Sequence, residues 1–202
     1  MTECYSRPQQ ERAKNTEQKF LAALDDLLKE KSFGLLTIEQ IAERACLTRS
    51  AFLKRFGTKK QALVLLYEKY CARVSQEIQR ITDDLPAYAD AMEACYQVSK
   101  RAEALQQNDF SANRAMHELF MEELAVASQT KRIFREAVVL MQKIQRSKMP
   151  VCVSTDIGAY AAAQLVFTIN YNHVLKAMPG LPRDAEQRHQ LIASLLVNAL
   201  KY

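Results

Sequence analysis

Apolar residues recur along this chain at intervals of three and four, which is the period of an amphipathic helix. The first stripe of this kind consists of Phe20, Leu21, Leu24, Leu27 and Leu28. Gly34 follows it and predicts the end of the first helix. Almost no stretch alternates apolar and polar residues as a half-buried strand does. The pattern therefore predicts an all-α fold.

Two T-x-x-Q sequences, at 37–40 and 58–61, predict where later helices begin. In such a capping box the threonine hydroxyl accepts an amide N–H three residues on, and the glutamine side chain reaches back. The first box predicts a short second helix. The second predicts a long helix from Thr58 to about Thr82, whose apolar residues keep a helical spacing throughout.

A turn separates the second helix from a third one. Cys46 and Leu47 form the turn, and Thr48 caps the third helix. Phe52 and Phe56, four residues apart, are its expected core anchors. A helix, a tight turn and a second capped helix are the signature of a helix-turn-helix.

The rest of the chain predicts a larger helical domain. Helices are expected at about 86–106, 110–127, 129–147, 156–178 and 183–202, with a loop at 148–155. We therefore divide the chain into a helix-turn-helix domain at 1–60, which includes a loose arm at 1–14, and a helical effector-binding and dimerisation domain at 61–202. Residues 157–175 carry no formal charge, but their polar interruptions argue against a membrane span.

Charge is distributed unevenly along the chain. The net charge is +5, and residues 1–60 hold 12 basic and 8 acidic residues, or +4. From Arg44 to Tyr67 there are six basic residues and no acidic one. Such a bias on a capped helix-turn-helix indicates a polyanionic partner. The five cysteines are scattered, which fits a reducing cytoplasm.

The first 63 residues resemble the TetR family of bacterial transcriptional regulators. The residues that carry the resemblance are Ala23, Leu27, Gly34, Thr37, Ile38, Ile41, Ala42, Ala45, Leu47, Thr48, Phe56, Gly57, Lys59 and Leu63. The chain departs from the family at Cys46, where glycine is usual, and at Leu53, where a phosphate-contacting tyrosine is usual. Cys46 implies either a turn that tolerates a side chain or a slightly different helix end.

The resemblance implies that the third helix enters the major groove of DNA. An arginine fork at Arg49 suits guanine, and Thr37, Lys54 and Lys59 suit phosphate. The expected DNA-binding residues are Thr37, Thr48, Arg49, Ser50, Leu53, Lys54 and Lys59. The family also implies a homodimer on a palindromic operator, released by a small apolar or amphipathic effector.

The effector and the dimer are expected to use the second domain. Aromatic, thioether and polar side chains with helical spacing suggest the ligand-binding residues Tyr96, Asn113, Met116, His117, Phe120 and Met121. Residues 157–175 are apolar around most of the helix, so a second face needs cover from a twin subunit. The last helix adds one apolar stripe, formed by Leu191, Ile192, Leu195, Leu196 and Leu200. The expected dimerisation residues are Tyr160, Gln164, Phe167, Tyr171, Leu195 and Leu196.

Other functions find less support in the sequence. A helical-bundle ligand carrier or enzyme with no DNA role predicts convergent polar groups in the second domain, and a nucleic-acid-coating protein predicts basic charge on several faces. His117-Glu118 lacks the second histidine of a metal motif, and we expect no metal, cofactor or catalytic residue. We expect Cys46 to be a small buried residue rather than a redox switch.

Overall fold

The computed structural model describes residues 6–109, 111–112, 114–115, 124–149, 156–174 and 180–202, and the side chains of all of these except 6–10, 124–126 and 170–174. Over this part of the chain the secondary structure is entirely helical, which confirms the predicted all-α class. Its α-helices are α1 Ser6–Glu30, α2 Ile38–Arg44, α3 Arg49–Phe56, α4 Lys59–Asp84, α5 Ala91–Asn108, α6 Leu124–Lys148, α7 Asp156–Val174 and α8 Ala185–Ala199. Short 3₁₀ turns lie at Phe33–Leu35 and Leu85–Ala87.

The chain folds as two compact units. The first contains Met1–Lys69 and Ser111–Val126, and the second contains Tyr70–Phe110 and Ala127–Tyr202. The first unit thus takes in more of the chain than residues 1–60. Ala112 and Ala115, for example, are buried in its core.

An aromatic cluster forms the centre of the first unit. The ring of Phe20 on α1 meets the rings of Phe52 and Phe56 on α3 edge to face, with centroids 5.2 and 5.9 Å apart. Phe20 and Phe52 are completely buried. Edge-to-face packing adds to the stabilisation from burial alone, so these rings fix how α3 lies on α1.

The core of the second unit combines large residues on α6 and α8 with small ones on α7. Met141, Ile144, Ile192 and Leu196 are completely buried. The buried positions of α7 include Ala159, Ala162 and Ala163. At Gly158, an added Cβ would lie 2.8 Å from the carbonyl oxygen of Ala199. Small residues on α7 therefore let the end of α8 approach its backbone.

Some predicted boundaries differ from the structure. The loose arm at 1–14 is wrong from Ser6 onward, because α1 begins there and absorbs the polar segment. Ser128 does not separate two helices, since α6 continues through it. Most of the helix predicted at 110–127 lies outside the described residues. Within the described part of the chain, no helix is both long and apolar enough to cross a membrane.

Candidate nucleic-acid interface

Side-chain caps define the start of both helices of the helix-turn-helix. The hydroxyl of Thr37 accepts the N–H of Gln40 at 3.2 Å, and the side-chain oxygen of Gln40 accepts the N–H of Thr37 at 3.1 Å. The predicted capping box is therefore present in full. Thr48 caps α3 by accepting the N–H of Ala51 at 3.1 Å. Each cap satisfies an amide that the helix leaves without a partner.

The turn between α2 and α3 has a left-handed residue that is not glycine. Leu47 N–H donates to the carbonyl of Ala42 at 2.9 Å, and Cys46 N–H donates to that of Glu43 at 3.0 Å. These two bonds are the Schellman arrangement, which places its left-handed residue at Cys46. Cys46 has a φ of 54°. The turn therefore keeps the geometry usual for glycine and carries a Cβ in it.

The expectation that Cys46 is buried is wrong, because its side chain is exposed. The apolar contact at this turn comes instead from Leu47, which packs against the core of the first unit.

Burial of the phenylalanines determines which side of α3 is available to a ligand. Phe52 and Phe56 face the core, and Arg49, Ser50 and Lys54 are exposed, with Leu53 half-buried between them. At about 100° per residue, positions 49, 50, 53 and 54 span roughly 140° of the helix surface. The predicted base-reading and phosphate-binding residues of α3 thus share one side.

Several cations of the basic segment already have acidic partners. Arg44 donates to Glu30 at 2.9 Å. Arg55 donates to Glu17, which also lies 3.3 Å from the ammonium of Lys69. Burial works to raise the pKa of Glu17, but hydrogen bonds from Arg55 and Lys69 outweigh it, so the pKa is lowered. The acids lie on α1, outside the segment, so its sequence overstates the charge that it presents.

Lys59, the first residue of α4, has a set of partners that its sequence position did not predict. Its ammonium donates to the carbonyl oxygens of Leu36, Phe33 and Gly34 at 2.7, 3.1 and 3.2 Å. The same group lies 4.9 Å from the centroid of the Phe33 ring. Its three N–H donors thus fasten the start of α4 to the turn that precedes α2. Lys54 is exposed and is better placed to test a phosphate contact.

The expected dimerisation residues divide into exposed and buried groups. Tyr160, Gln164 and Leu195 are exposed and Phe167 is half-buried. Leu196 is completely buried in the core of its own unit, contrary to its expected position in an interface. The side chain of Tyr171 lies outside the described residues. Two further apolar residues of α7 and α8, Ile157 and Leu191, are 75% and 40% exposed.

An apolar cleft lies in the second unit between α4, α5, α6 and α7. Its lining includes Ile78, Ala102, Met141 and Phe167, with Arg101 as a charged residue. The cavity volume is about 60 Å³. A drug-sized ligand occupies several hundred Å³, so such a ligand requires side chains in the cleft to move.

Of the expected ligand-binding residues, only Tyr96 lies in the described part of the chain, and it does not line this cleft. Tyr96 instead bonds through its hydroxyl to Glu186 on α8. That bond is the leading cause of a raised Tyr96 pKa. Asn113, Met116, His117, Phe120 and Met121 lie outside the described residues.

A buried polar cluster joins α5 to α8, and sequence reasoning missed it. Arg188 makes a two-pronged pair with Glu103, with N···O distances of 2.7 and 2.9 Å. Its remaining nitrogen donates to the carbonyls of Pro182 and Arg183, each at 3.1 Å. The only sequence signal was a charged residue at helical spacing among the apolar positions of each helix. That signal does not say which helix supplies the partner.

The same cluster contains a serine, a histidine and a carboxylate in contact. Ser99 Oγ lies 3.0 Å from His189 Nδ1, and His189 Nε2 lies 3.8 Å from Glu103 Oε2. Nucleophilic catalysis requires that a substrate reach the serine oxygen. Ser99 is 0% exposed, and Glu103 is committed to Arg188. The arrangement therefore fits a structural network between two helices and not an active site.

An N-terminal helix-turn-helix with a larger helical unit places the chain among all-α helix-turn-helix proteins. Its fold is that of TetR-family transcriptional regulators, as the resemblance implied. A protein from Mesorhizobium loti that is attributed to this family has 14% identity, a TM-score of 0.71, and coverage of 94% of this chain and 96% of its own.

Two further solved structures have the same fold. NalD from Pseudomonas aeruginosa, the secondary repressor of the MexAB-OprM multidrug efflux pump, has 16% identity, a TM-score of 0.63 and coverage of 94% of this chain and 97% of its own. FadR from Bacillus subtilis, in complex with stearoyl-CoA, has 17% identity, a TM-score of 0.63 and coverage of 91% and 97%. No protein-family model matches the chain, and no curated protein matches it in sequence.

Proposed function

We propose that this protein is a cytoplasmic transcriptional regulator that binds a palindromic DNA operator as a homodimer and is released from it by a small apolar or amphipathic ligand. The observation that carries the proposal is the doubly capped helix-turn-helix, whose third helix buries two phenylalanines and exposes Arg49, Ser50 and Lys54 on one side. Similarity in fold to regulators such as NalD supports it.

The exposed residues of α3 suit different parts of a DNA duplex. Arg49 has a guanidinium that fits the two acceptors of guanine in the major groove. Leu53 offers an apolar contact to a thymine methyl group. Lys54 and the hydroxyls of Thr37, Thr48 and Ser50 suit phosphate oxygens. Lys59 contributes charge near the same anion and holds the turn that positions Thr37.

Selection of duplexes from a random pool, followed by binding measurements on the selected site, tests the DNA-binding role. Arg49→Ala should cost about 1–3 kcal/mol on that site and little on random DNA, because base contacts carry the sequence information. Lys54→Ala should weaken binding to all sequences alike and lower the salt slope by about 1. Lys131→Ala, at an exposed lysine of the second unit, is the control. If no sequence is enriched, the protein is not a sequence-specific regulator.

The dimer is proposed to use the exposed apolar residues of α7 and α8. Ile157 and Tyr160 lie one helical turn apart on α7, and Leu191 and Leu195 lie one turn apart on α8. Because a two-fold interface brings each residue close to its own copy, Leu195→Glu should place two carboxylates near each other and yield monomers. Leu35→Glu introduces the same change at an exposed leucine of the first unit and should leave a dimer. If the wild type sediments as a monomer at micromolar concentration, the dimer is ruled out.

The effector is proposed to bind the apolar cleft of the second unit. FadR binds stearoyl-CoA, a ligand with a long apolar chain, which supports an apolar effector here. Ala102 lines the cleft, and Ala104 on the same helix is exposed. Ala102→Leu should therefore block a ligand found by thermal-shift screening, whereas Ala104→Leu should not.

Linkage supplies the test of the release mechanism. Operator DNA must weaken ligand binding by the factor by which the ligand weakens DNA binding, typically 5- to 150-fold. We propose that α4, which lines the cleft with its later residues and begins beside the helix-turn-helix, carries the change. Equal ligand affinity with and without operator DNA would exclude release by this ligand.

A further inference from the structure

One ion pair connects the first turns of the two helices in the helix-turn-helix. Glu39 Oε1 on α2 lies 2.6 Å from Arg49 Nε on α3. Both side chains are about 60% exposed, at 60% for Arg49 and 61% for Glu39. The bond uses Nε and leaves the two terminal nitrogens of Arg49, which form the fork that recognises guanine, for another partner.

Glu39 differs from the other paired acids of the first unit. Glu17 and Glu30 lie on α1 and pair with Arg55 and Arg44. Glu39 lies on the helix-turn-helix itself, beside the exposed side of α3. Hydrogen bonding to its own backbone N–H lowers the pKa of Glu39, with a further contribution from the charge of Arg49. It is therefore ionised at neutral pH, and by charge alone it repels DNA.

A carboxylate at this position can affect DNA binding in two ways, and the two predict opposite effects when Glu39 is removed. If the ion pair only neutralises Arg49, DNA must break it, and removal of Glu39 strengthens binding to every sequence. If the carboxylate holds the guanidinium, its removal leaves Arg49 free among its rotamers. The contact with guanine then requires a long, mobile side chain to become ordered, which costs conformational entropy and weakens binding to the preferred site.

The geometry favours the second of these effects, in which the carboxylate of Glu39 holds the guanidinium of Arg49. The contact is made to Nε, the donor on the side of the guanidinium, so the carboxylate does not occupy the terminal fork. Among the described residues no other bonded partner of Arg49 is present. Thr37 caps α2 two residues before Glu39, and Thr48 caps α3 one residue before Arg49, so both ends of the pair stand on fixed backbone.

We propose that Glu39 is a positioning residue: it holds Arg49 by Nε so that the terminal fork of Arg49 points to a guanine in the operator. This inference rests on the proposed DNA-binding function. It predicts a G·C pair at the position that Arg49 reads. It also predicts that Glu39 lowers the general affinity for DNA while it raises the preference for that base pair.

Glu39→Gln and Glu43→Gln in the full-length chain separate the two ways. Glu43 is an exposed acid on the same helix, one turn further on, and within the described part of the chain its side chain makes no contact with Arg49. Each variant is measured on three duplexes: the site that the wild type selects from a random pool, the same site with the G·C pair replaced by A·T, and a random sequence.

Both variants should bind random DNA somewhat more tightly than the wild type, because each removes one negative charge. Only Glu39→Gln should lose preference for the selected site over its A·T version, by about 5- to 10-fold, near the lower end of what one arginine–guanine contact provides. In an Arg49→Lys background, Glu39→Gln should change this preference no further, because lysine has no fork to orient. Melting curves followed by circular dichroism check that each variant is folded.

Equal gains on all three duplexes for Glu39→Gln would overturn the inference and leave a plain surface ion pair. If that result appears while Arg49→Ala still abolishes the preference, the DNA-binding function stands without it. If the wild type selects no site at all, the proposed function fails and this inference fails with it.

Discussion

The first and the second unit of this protein differ in the interactions that stabilise each of them internally. In the first unit, an aromatic cluster forms the centre of the core, and the helices of the helix-turn-helix begin with local caps at Thr37 and Thr48, each of which joins residues three apart. In the second unit, a buried polar cluster joins α5 to α8. Glu103 and Arg188 are 85 residues apart, and Ser99 and His189 are 90 apart.

Because of this difference, the two units are sensitive to different kinds of substitution. A local cap contributes about 1 kcal/mol and can be lost without displacing a neighbouring helix. A buried ion pair is different, because removal of one partner leaves a charge without compensation. Arg188 also satisfies two carbonyls of the segment before α8. The loss of one side chain, Arg188, should therefore destabilise the second unit more than the loss of one cap destabilises the first.

The largest expected effect follows from Arg188→Met, which leaves Glu103 buried and unpaired. The free energy of unfolding of the second unit should fall by about 3–5 kcal/mol. Urea denaturation monitored by circular dichroism measures it. The double variant Arg188→Met/Glu103→Leu removes both charges and should recover most of the loss. A single variant as stable as the wild type would show that the pair contributes nothing.

A smaller effect is expected where α7 meets the end of α8. In Gly158→Ala the new Cβ would lie 2.8 Å from the Ala199 carbonyl oxygen and 3.1 Å from the Tyr202 carbonyl carbon, both backbone atoms. Overpacking of this kind costs about 1–3 kcal/mol. Gly34→Ala in the first unit is the matched control, because its Cβ would meet nothing within 4 Å. Equal melting temperatures for the two variants would contradict the close approach.

These contacts explain which parts of the structure could be predicted from the sequence. The cap at Thr37 could be predicted because its partner, Gln40, is three residues away and the pattern itself contains both. The pair between Glu103 and Arg188 could not, since nothing near either residue identifies the other. Leu196 and Leu195 look equivalent in a stripe of leucines, and only the packing of α8 decides that one is buried and the other exposed.

Cys46 shows that even a local prediction depends on backbone angles. The sequence indicated a turn and left open whether it tolerates a side chain. The structure retains the left-handed angle, with a φ of 54° at a residue with a Cβ. Such a residue carries strain that a glycine would not.

Cys46→Gly should therefore stabilise the first unit, by about 0.5–1 kcal/mol once the greater freedom of glycine in the unfolded chain is deducted. Ala45→Gly, one residue earlier at a φ of −77°, should instead destabilise it by about 1 kcal/mol or more. Thermal unfolding of both variants provides the comparison. If both lower the melting temperature, the turn is not strained at Cys46.

The smallest expected effect is a pH dependence of the second unit through His189. Burial is the leading cause that lowers its pKa below the usual 6.5, and the charges of Arg188 and Lys100 act in the same direction, while Glu103 and Glu186 oppose them. Because these contributions partly cancel, the effect should be modest. A histidine with a lowered pKa binds a proton less readily in the folded state than in the unfolded one.

The sign of the effect follows from this difference in proton binding. Above pH 6.5 His189 is neutral in both states, and the bond between its Nδ1 and the hydroxyl of Ser99 contributes fully. As the pH falls through 6.5 towards the lower folded pKa, the unfolded chain takes up the proton first, and stability is lost.

The stability advantage of the wild type over His189→Gln should therefore shrink between pH 7.5 and pH 5, as measured by urea denaturation. Ser99→Ala removes the bonding partner and keeps the imidazole, so it should retain the pH dependence. An advantage that grows on acidification would mean that Glu103 and Glu186 outweigh burial, and that the imidazolium is the form that the second unit stabilises.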